Sequence, residues 1–323
     1  IFVALQQAVV RWLCTGTIAL WTQFASNEDT PMKVHLVDGT YELYRAHYGV
    51  PPSSTRDGQP VSAVRGLVAT LLALLREDSV THVACAFDHV VESFRNNMFD
   101  GYKTGERVPE ELASQFDLAE RAAAAVGVVV WPMIEFEADD AIGTAAVRWG
   151  TDPNVDQVVI CSPDKDMMQL VRDPEVVCLD RRRGITYDTA AVVEKFGVAP
   201  ESIPDYLGLV GDAADGIPGV PRWGAKSTAI ILERYGHLEN IPDNALLWDA
   251  SPRGAKSMAG SLKEHRTEAT LYKDLATLRV DVPLTESLED LEWRGAHRAD
   301  YESLCDDLGF TTIRTLPHRW AGE

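Results

Sequence analysis

No CxxC pair occurs in this chain. Its five cysteines (Cys14, Cys85, Cys161, Cys178, Cys305) are odd in number and widely spaced, which argues against a zinc knuckle or a disulfide framework and fits a reducing, cytoplasmic setting. Basic charge is also scarce. Lys and Arg number 30 against 49 Asp and Glu, for a formal charge of -19, so the broad basic footprint of a nucleic-acid binder is missing and any phosphate contact must come from local patches. The stretch nearest to a long apolar run, Ile1 to Trp21, is interrupted by Gln6, Gln7 and Arg11 and has neither a basic start nor a small-residue cleavage site. It reads poorly as a signal peptide and at most as a marginal membrane or interfacial helix. Residues 1–31 are therefore expected to be an extension outside the native fold, which begins at Met32. Internal repeats and low-complexity linkers are missing as well. With 46% hydrophobic residues in 323, the chain is expected to be globular, with one large core or two unequal ones, and no membrane partner.

What the chain has is acid in particular places. Glu135, Glu137, Asp139 and Asp140 fall within six residues. They form either an acidic first helical turn favoured by the helix dipole or a set of cation ligands. Three β-branched stretches run straight into aspartate: Lys33 to Val37 into Asp38, Val83 to Phe87 into Asp88, and Gln157 to Cys161 into Ser162-Pro163-Asp164. Helical patterns lie between them, over Val64 to Glu77, Pro109 to Val126 and Ala138 to Trp149. This alternation predicts an α/β fold: a mostly parallel central sheet flanked by helices, with sites beyond the carboxyl ends of the strands. Asp38, Asp88, Asp164 and Asp166 then share one edge with the helix that bears Glu137, Asp139 and Asp140. One aspartate after a strand is usually a helix cap. So many unpaired carboxylates at one edge would destabilise the fold unless neutralised. Hard oxygen ligands without His or Cys suit Mg²⁺ or Mn²⁺, and two such ions suit phosphodiester hydrolysis.

The ordered set Leu36-Val37-Asp38-Gly39, Ala86-Phe87-Asp88, Ser93-Phe94-Arg95, Gly101-Tyr102-Lys103, Glu137-Ala138-Asp139-Asp140, Asp164-Lys165-Asp166 and Gly211-Asp212-Ala213-Ala214-Asp215-Gly216-Ile217-Pro218-Gly219 resembles the bacterial 5'-3' exonuclease and flap endonuclease family. The resemblance runs from about Lys33 to Phe310. It implies a PIN-like nuclease domain over 32–200, a smaller all-helical helix-hairpin-helix domain over 201–310 and a tail over 311–323. It also implies one metal on Asp38, Asp88, Glu137 and Asp139 and another on Asp164, Asp166 and Asp215, with Asp140 and Asp212 as further acids. By the same resemblance Arg95 and Lys103 approach the scissile phosphate, and Tyr44-Arg45, at the start of the first helix, meets the template or flap. Tyr44 and Arg45 also read simply as a buried tyrosine beside a surface arginine.

The segment Val90 to Glu111 reads as a surface loop and, by resemblance, as an arch passing a 5' single strand, with Phe99 and Tyr102 for stacking and Arg95, Lys103 and Arg107 for phosphates. Glu106 stands where the family has arginine. Gly219, Arg222, Gly224, Lys226 and Ser227 lie in a glycine-rich turn feeding a helix, which suits duplex-backbone binding, and the resemblance adds a possible K⁺ site there. Gly216 replaces the usual asparagine and Arg222 the usual glycine. One long helix is expected over Lys256 to Leu278, whose Lys256, Lys263, His265, Arg266 and Lys273 read either as an extension of the duplex track or as a solvated face.

The expected activity is two-metal cleavage near 5' single-strand/duplex junctions, on DNA with flaps, nicks or RNA primers, by a monomer. A catalytically weak junction-binding module is the alternative, and an RNA-cleaving nuclease of the same sheet type a lesser one.

Overall fold

The computed structural model describes residues 31–323. The expectations for the apolar start fall, except at Pro31, outside the described residues. Met32–Glu323 forms one compact unit.

Six strands are built from short apolar, β-branched runs: β1 Lys33–Asp38, β2 His82–Asp88, β3 Val129–Met133, β4 Gln157–Cys161, β5 Val176–Asp180 and β6 Ile185–Tyr187. Their order is β3-β2-β1-β4-β5-β6; only β6 is antiparallel. Alternation sorts side chains to the two faces. Val34, Leu36, Ala84, Ala86, Val158 and Ile160 point into one core cluster, and Val37, Val83, Cys85, Phe87, Val159 and Cys161 into the other. Covering both faces is what makes these strands nearly continuous apolar runs.

Helices α1 Gly39–Gly49, α2 Ser62–Leu74 and α4 Phe116–Val126 cover the second cluster, and α5 Ala138–Trp149 covers the first. The helix expected over Pro109 to Val126 is two, because a short α3, Glu110–Ala113, ends before Phe116 and the buried Gln115 turns its side chain back to accept from Ala63 N at 3.0 Å. Strands β5 and β6 were not expected. They add the sheet's far edge, and α6 Thr189–Phe196 follows them.

Beyond residue 200 the chain is helical: α7 Ile203–Val210, α8 Ala225–Tyr235, α9 Ala255–Glu264, α10 Arg266–Ala276 and α11 Arg298–Leu308. The single helix expected from Lys256 to Leu278 is broken at His265, whose backbone leaves helical geometry (φ -115°, ψ 25°). The segment read as a tail is packed: Ile313 is buried, Tyr301 donates to its carbonyl at 2.7 Å, and Trp320 meets the Tyr301 ring edge-on. With Trp293, Leu304, Leu308 and Phe310, these residues complete the second cluster against α4. Among the described residues no helix is long and apolar enough to cross a membrane.

Candidate metal centre

The carboxyl ends of the parallel strands gather the acids. Asp38 ends β1 and caps α1, its Oδ1 accepting from Tyr41 N at 2.8 Å, while Oδ2 accepts from Ser162 Oγ at 2.9 Å. The cap reading thus holds for the side chain that is also a candidate ligand. Asp88 ends β2 and accepts from Ala138 N at 2.8 Å, which ties it to the start of α5. There Glu137 is the N-cap and Asp139 lies in the first turn. Beyond β4, Asp164 accepts from Asp166 N at 3.1 Å. Asp212 and Asp215 lie on the tight turn closed by the Asp212 and Ile217 bridge.

These carboxylates perturb one another. Burial pushes Asp38 up to about 7; the bonds from Tyr41 and Ser162 oppose the shift, and Asp164 and Asp88 add to it. Asp139 is pushed well up by burial and then by Asp38, Asp164 and Asp88. Asp166 is raised by burial and then by Asp164, Asp215 and Asp212. Asp88 and Asp215 are raised mainly by burial, with Lys103 opposing. Glu137 goes the other way: burial works to raise it, but Lys103 and Arg95 outweigh burial and hold it below the usual carboxylate range.

The arrangement fits divalent cations. Asp166, Asp212 and Asp215 offer oxygens within 4.8 Å of one another, and the buried Asp166 Oδ1 has no hydrogen-bond partner. A buried carboxylate oxygen facing other carboxylates calls for a cation. Lys103 supplies one positive charge here, with Nζ 2.8 Å from Glu137 and 3.3 Å from Asp215. Lys165 supplies another at 2.7 Å from Asp212. An open groove of about 390 Å³ beside Tyr41, Asp164, Lys165 and Lys195 reaches the acids. A hollow of about 640 Å³ between α4, α11 and residues 289–297 lies at the opposite, amino end of β3.

Several expected roles change. Asp140 is fully buried, takes both Arg95 Nη atoms at 2.8 and 2.7 Å, and also accepts from Glu137 N and Arg279 N. Its lone pairs are filled, so it is no metal ligand. Arg95 is only 1% exposed and donates its remaining bonds to the Leu275 and Thr277 carbonyls. It does not reach a phosphate; it braces the centre through its 3.2 Å contact with Glu137. Tyr102 is buried with its hydroxyl on Glu137, so it presents no open ring for stacking, whereas Phe99 is half-buried and packs edge-on against Tyr272. Tyr44 and Arg45 lie in the middle of α1, not at its start; Tyr44 packs on Phe116 and Arg45 bonds Glu42 and Thr70. Arg107 closes the short turn Gly105–Arg107, and its side chain lies outside what is described.

In the second region Arg222, Gly224 and Lys226 are exposed and Ser227 is half-exposed around the start of α8. Gly219 has φ 72°, and a Cβ there would stand 2.5 Å from Gly211 N. Arg222 also has positive φ, 74°, a conformation that favours glycine. Ser93, whose Oγ lies 2.6 Å from Glu137, and Ser162, which bonds Asp38, were missed as residues that orient candidate ligands. Their signal was placement, one opening Ser-Phe-Arg and the other directly following β4.

A model of the 5'-3' exonuclease N-terminal, resolvase-like domain matches residues 33–197, and one of the 5'-3' exonuclease C-terminal SAM fold matches residues 198–299. The DNA polymerase I of Bacillus caldotenax is 35% identical over 286 residues, covering 87% of this chain and 32% of its own length. The chain thus spans about a third of the curated relatives it matches. Among solved structures, the zinc-bound 5'-exonuclease of T5 superposes with a TM-score of 0.61 at 19% identity, over 76% of this chain and 89% of that one. The bacteriophage T5 D15 flap endonuclease in complex with DNA and metal ions gives 0.59 at 19%, over 76% and 88%. At that identity the likeness establishes the fold.

Proposed function

The chain belongs to the 5'-3' exonuclease family, and on that premise we propose that it is a structure-selective 5' nuclease that hydrolyses phosphodiesters near 5' single-strand/duplex junctions. The observation that carries this reading is the convergence of Asp38, Asp88, Asp139, Asp164, Asp166 and Asp215 on one sheet edge, with the Asp166 Oδ1 atom left unpartnered. Mg²⁺ or Mn²⁺ held by these residues and Glu137 would supply an activated water and charge neutralisation at the leaving oxygen.

The chain's own groups do the rest. Ser162 and Ser93 fix Asp38 and Glu137 by hydrogen bonds, and the α1 and α5 amides fix Asp38 and Asp88. Lys103 lies at the rim with its ammonium already over the acids, so a phosphate arriving there meets a fixed positive charge. The Gly219 to Ser227 turn offers exposed cations and the first amides of α8 to a duplex backbone without reading bases. The substrates that fit are DNA with 5' flaps or nicks and RNA-primed DNA, met by a monomer in the cytoplasm.

The test uses the chain from Met32 with a labelled 5'-flap duplex and Mg²⁺, beside Asp166→Ala and a matched binding assay. Cutting at the junction that the substitution abolishes while binding survives is the expected result. Tight binding without cutting by the unaltered chain, with Mn²⁺ as well, would overturn it and leave a junction-binding module.

A further inference from the structure

Among the stretches that carry no acidic residue are 216–232, with Arg222 and Lys226, and 250–263, with Arg253, Lys256 and Lys263. The fold packs them together. Trp223 Nε1 donates to the Met258 carbonyl at 3.1 Å, and Ser261 Oγ donates to the Pro221 carbonyl at 2.6 Å.

The structure also sorts the cations of this region. Arg266 is bound to Asp243 and the Leu238 and Ile241 carbonyls, Lys273 is held by Asp205 and Glu239, and Arg234 pairs with Asp249. These are structural charges. Arg222, Lys226, Arg253, Lys256 and Lys263 are all exposed, and among the described residues none forms an ion pair. Helix α9 buries Met258, Ala259, Ser261 and Leu262. Its outward face carries Lys256, Gly260 and Lys263 at i, i+4 and i+7, one stripe of a helix. Nothing lies within 4 Å of where a Gly260 Cβ would stand, so the stripe is two lysines flanking bare backbone. The exposed acid Glu264 follows Lys263 directly and stands at i+4 from Gly260, at the end of the same stripe.

We propose that the outward face of α9 is a second binding surface for the sugar–phosphate backbone of a duplex, extending the interface that begins at the Gly219 to Ser227 turn. A cluster of exposed, unpaired cations costs self-repulsion in the free protein and is neutralised by phosphates. Two lysines spaced by two helical turns with a glycine between let a backbone lie close without a side chain in its way. This inference rests on the reading of the chain as a duplex-binding nuclease and adds where the duplex arm runs.

The test is the salt dependence of duplex binding. Kd for a flap substrate with a long duplex arm is measured against KCl concentration for the chain from Met32, for Lys256→Ala/Lys263→Ala and for Gly260→Glu. Each phosphate contact contributes about 0.9 to the slope of log K on log salt. The double variant is expected to lower the slope by about 1.8 and to bind several-fold more weakly at low salt, by a margin that shrinks as the arm is shortened. Gly260→Glu, which removes no lysine and whose Cβ has open space, is expected to weaken binding in the same direction. Unchanged slopes in both variants, with normal circular dichroism, overturn the inference while leaving the nuclease reading intact. Failure of the unaltered chain to bind any duplex overturns both. Binding without cutting overturns only the nuclease reading, and the slopes still decide the α9 face.

Discussion

At the scale of single residues, the buried Arg95 and Asp140 pair shows how a motif can be right in position and different in role. Both were legible in the sequence, but which cation meets which acid was not, since that depends on carbonyls from Leu275 and Thr277, some 180 residues away in the chain. Leaving either charge alone in the core is expected to cost about 3–5 kcal/mol; urea unfolding of Arg95→Met should show a loss of that size, and a loss under 1 kcal/mol would contradict the brace. Asp166 gives the opposite expectation. In EDTA, Asp166→Asn removes a buried charge crowded by like charges and should raise stability by about 1 kcal/mol or more, read as a higher urea midpoint. His35, 4% exposed on β1, is lowered to about 4 from 6.5 by burial, with Lys33 and Arg181 adding to the effect. The unfolded chain therefore takes up this proton first as pH falls. Stability is full above about pH 6.5 and is lost on the way down to about pH 4, by about 3 kcal/mol. The difference between the unaltered chain and His35→Leu, followed across that window, should display this loss; a flat difference would refute it.

At the scale of elements, strands running into aspartate were readable because a parallel sheet buried on both faces leaves an unmistakable apolar run. Strand β6 was not, since three residues, two exposed and one buried, are too few to carry a period. The broken helix at His265 was equally hidden, because Lys256 to Leu278 holds no glycine or proline after Gly260 to mark a stop. The departure at Gly216 now has a physical reason. Its φ is 78°, and a Cβ there would stand 2.1 Å from the Gly101 carbonyl oxygen, where the loop between β2 and α3 rests on the Asp215 turn and Lys103 N donates to the Asp215 carbonyl at 2.9 Å. Gly216→Asn should push that loop away, making the 92–107 segment quicker to be cut by a protease and slowing flap cleavage. Unaltered proteolysis would mean that the contact does not hold the loop.

At the scale of the whole molecule, the sequence suggested a domain ending near residue 310 and a tail, whereas Trp293, Tyr301, Leu304, Leu308, Phe310 and Ile313 are buried against the α4 side of the sheet. The pattern of α11 is too polar on average to announce this, and only the fold reveals what covers α4. Each such side chain contributes roughly 1.5–3 kcal/mol of burial, against a typical net stability of about 5–15 kcal/mol. A chain ending at Glu292 is therefore expected to lose cooperative unfolding altogether, checked by a thermal melt; a sharp transition near that of the full chain would refute this. The candidate ligands come from five separated segments, around residues 38, 88, 137, 164 and 212, so the unfolded chain has nothing that resembles the site. Any ion bound there stabilises only the folded form, by about 2.7 kcal/mol at a hundred times its dissociation constant. The supply of divalent ions then sets how often the chain opens to proteases, and so its lifetime as well as its rate.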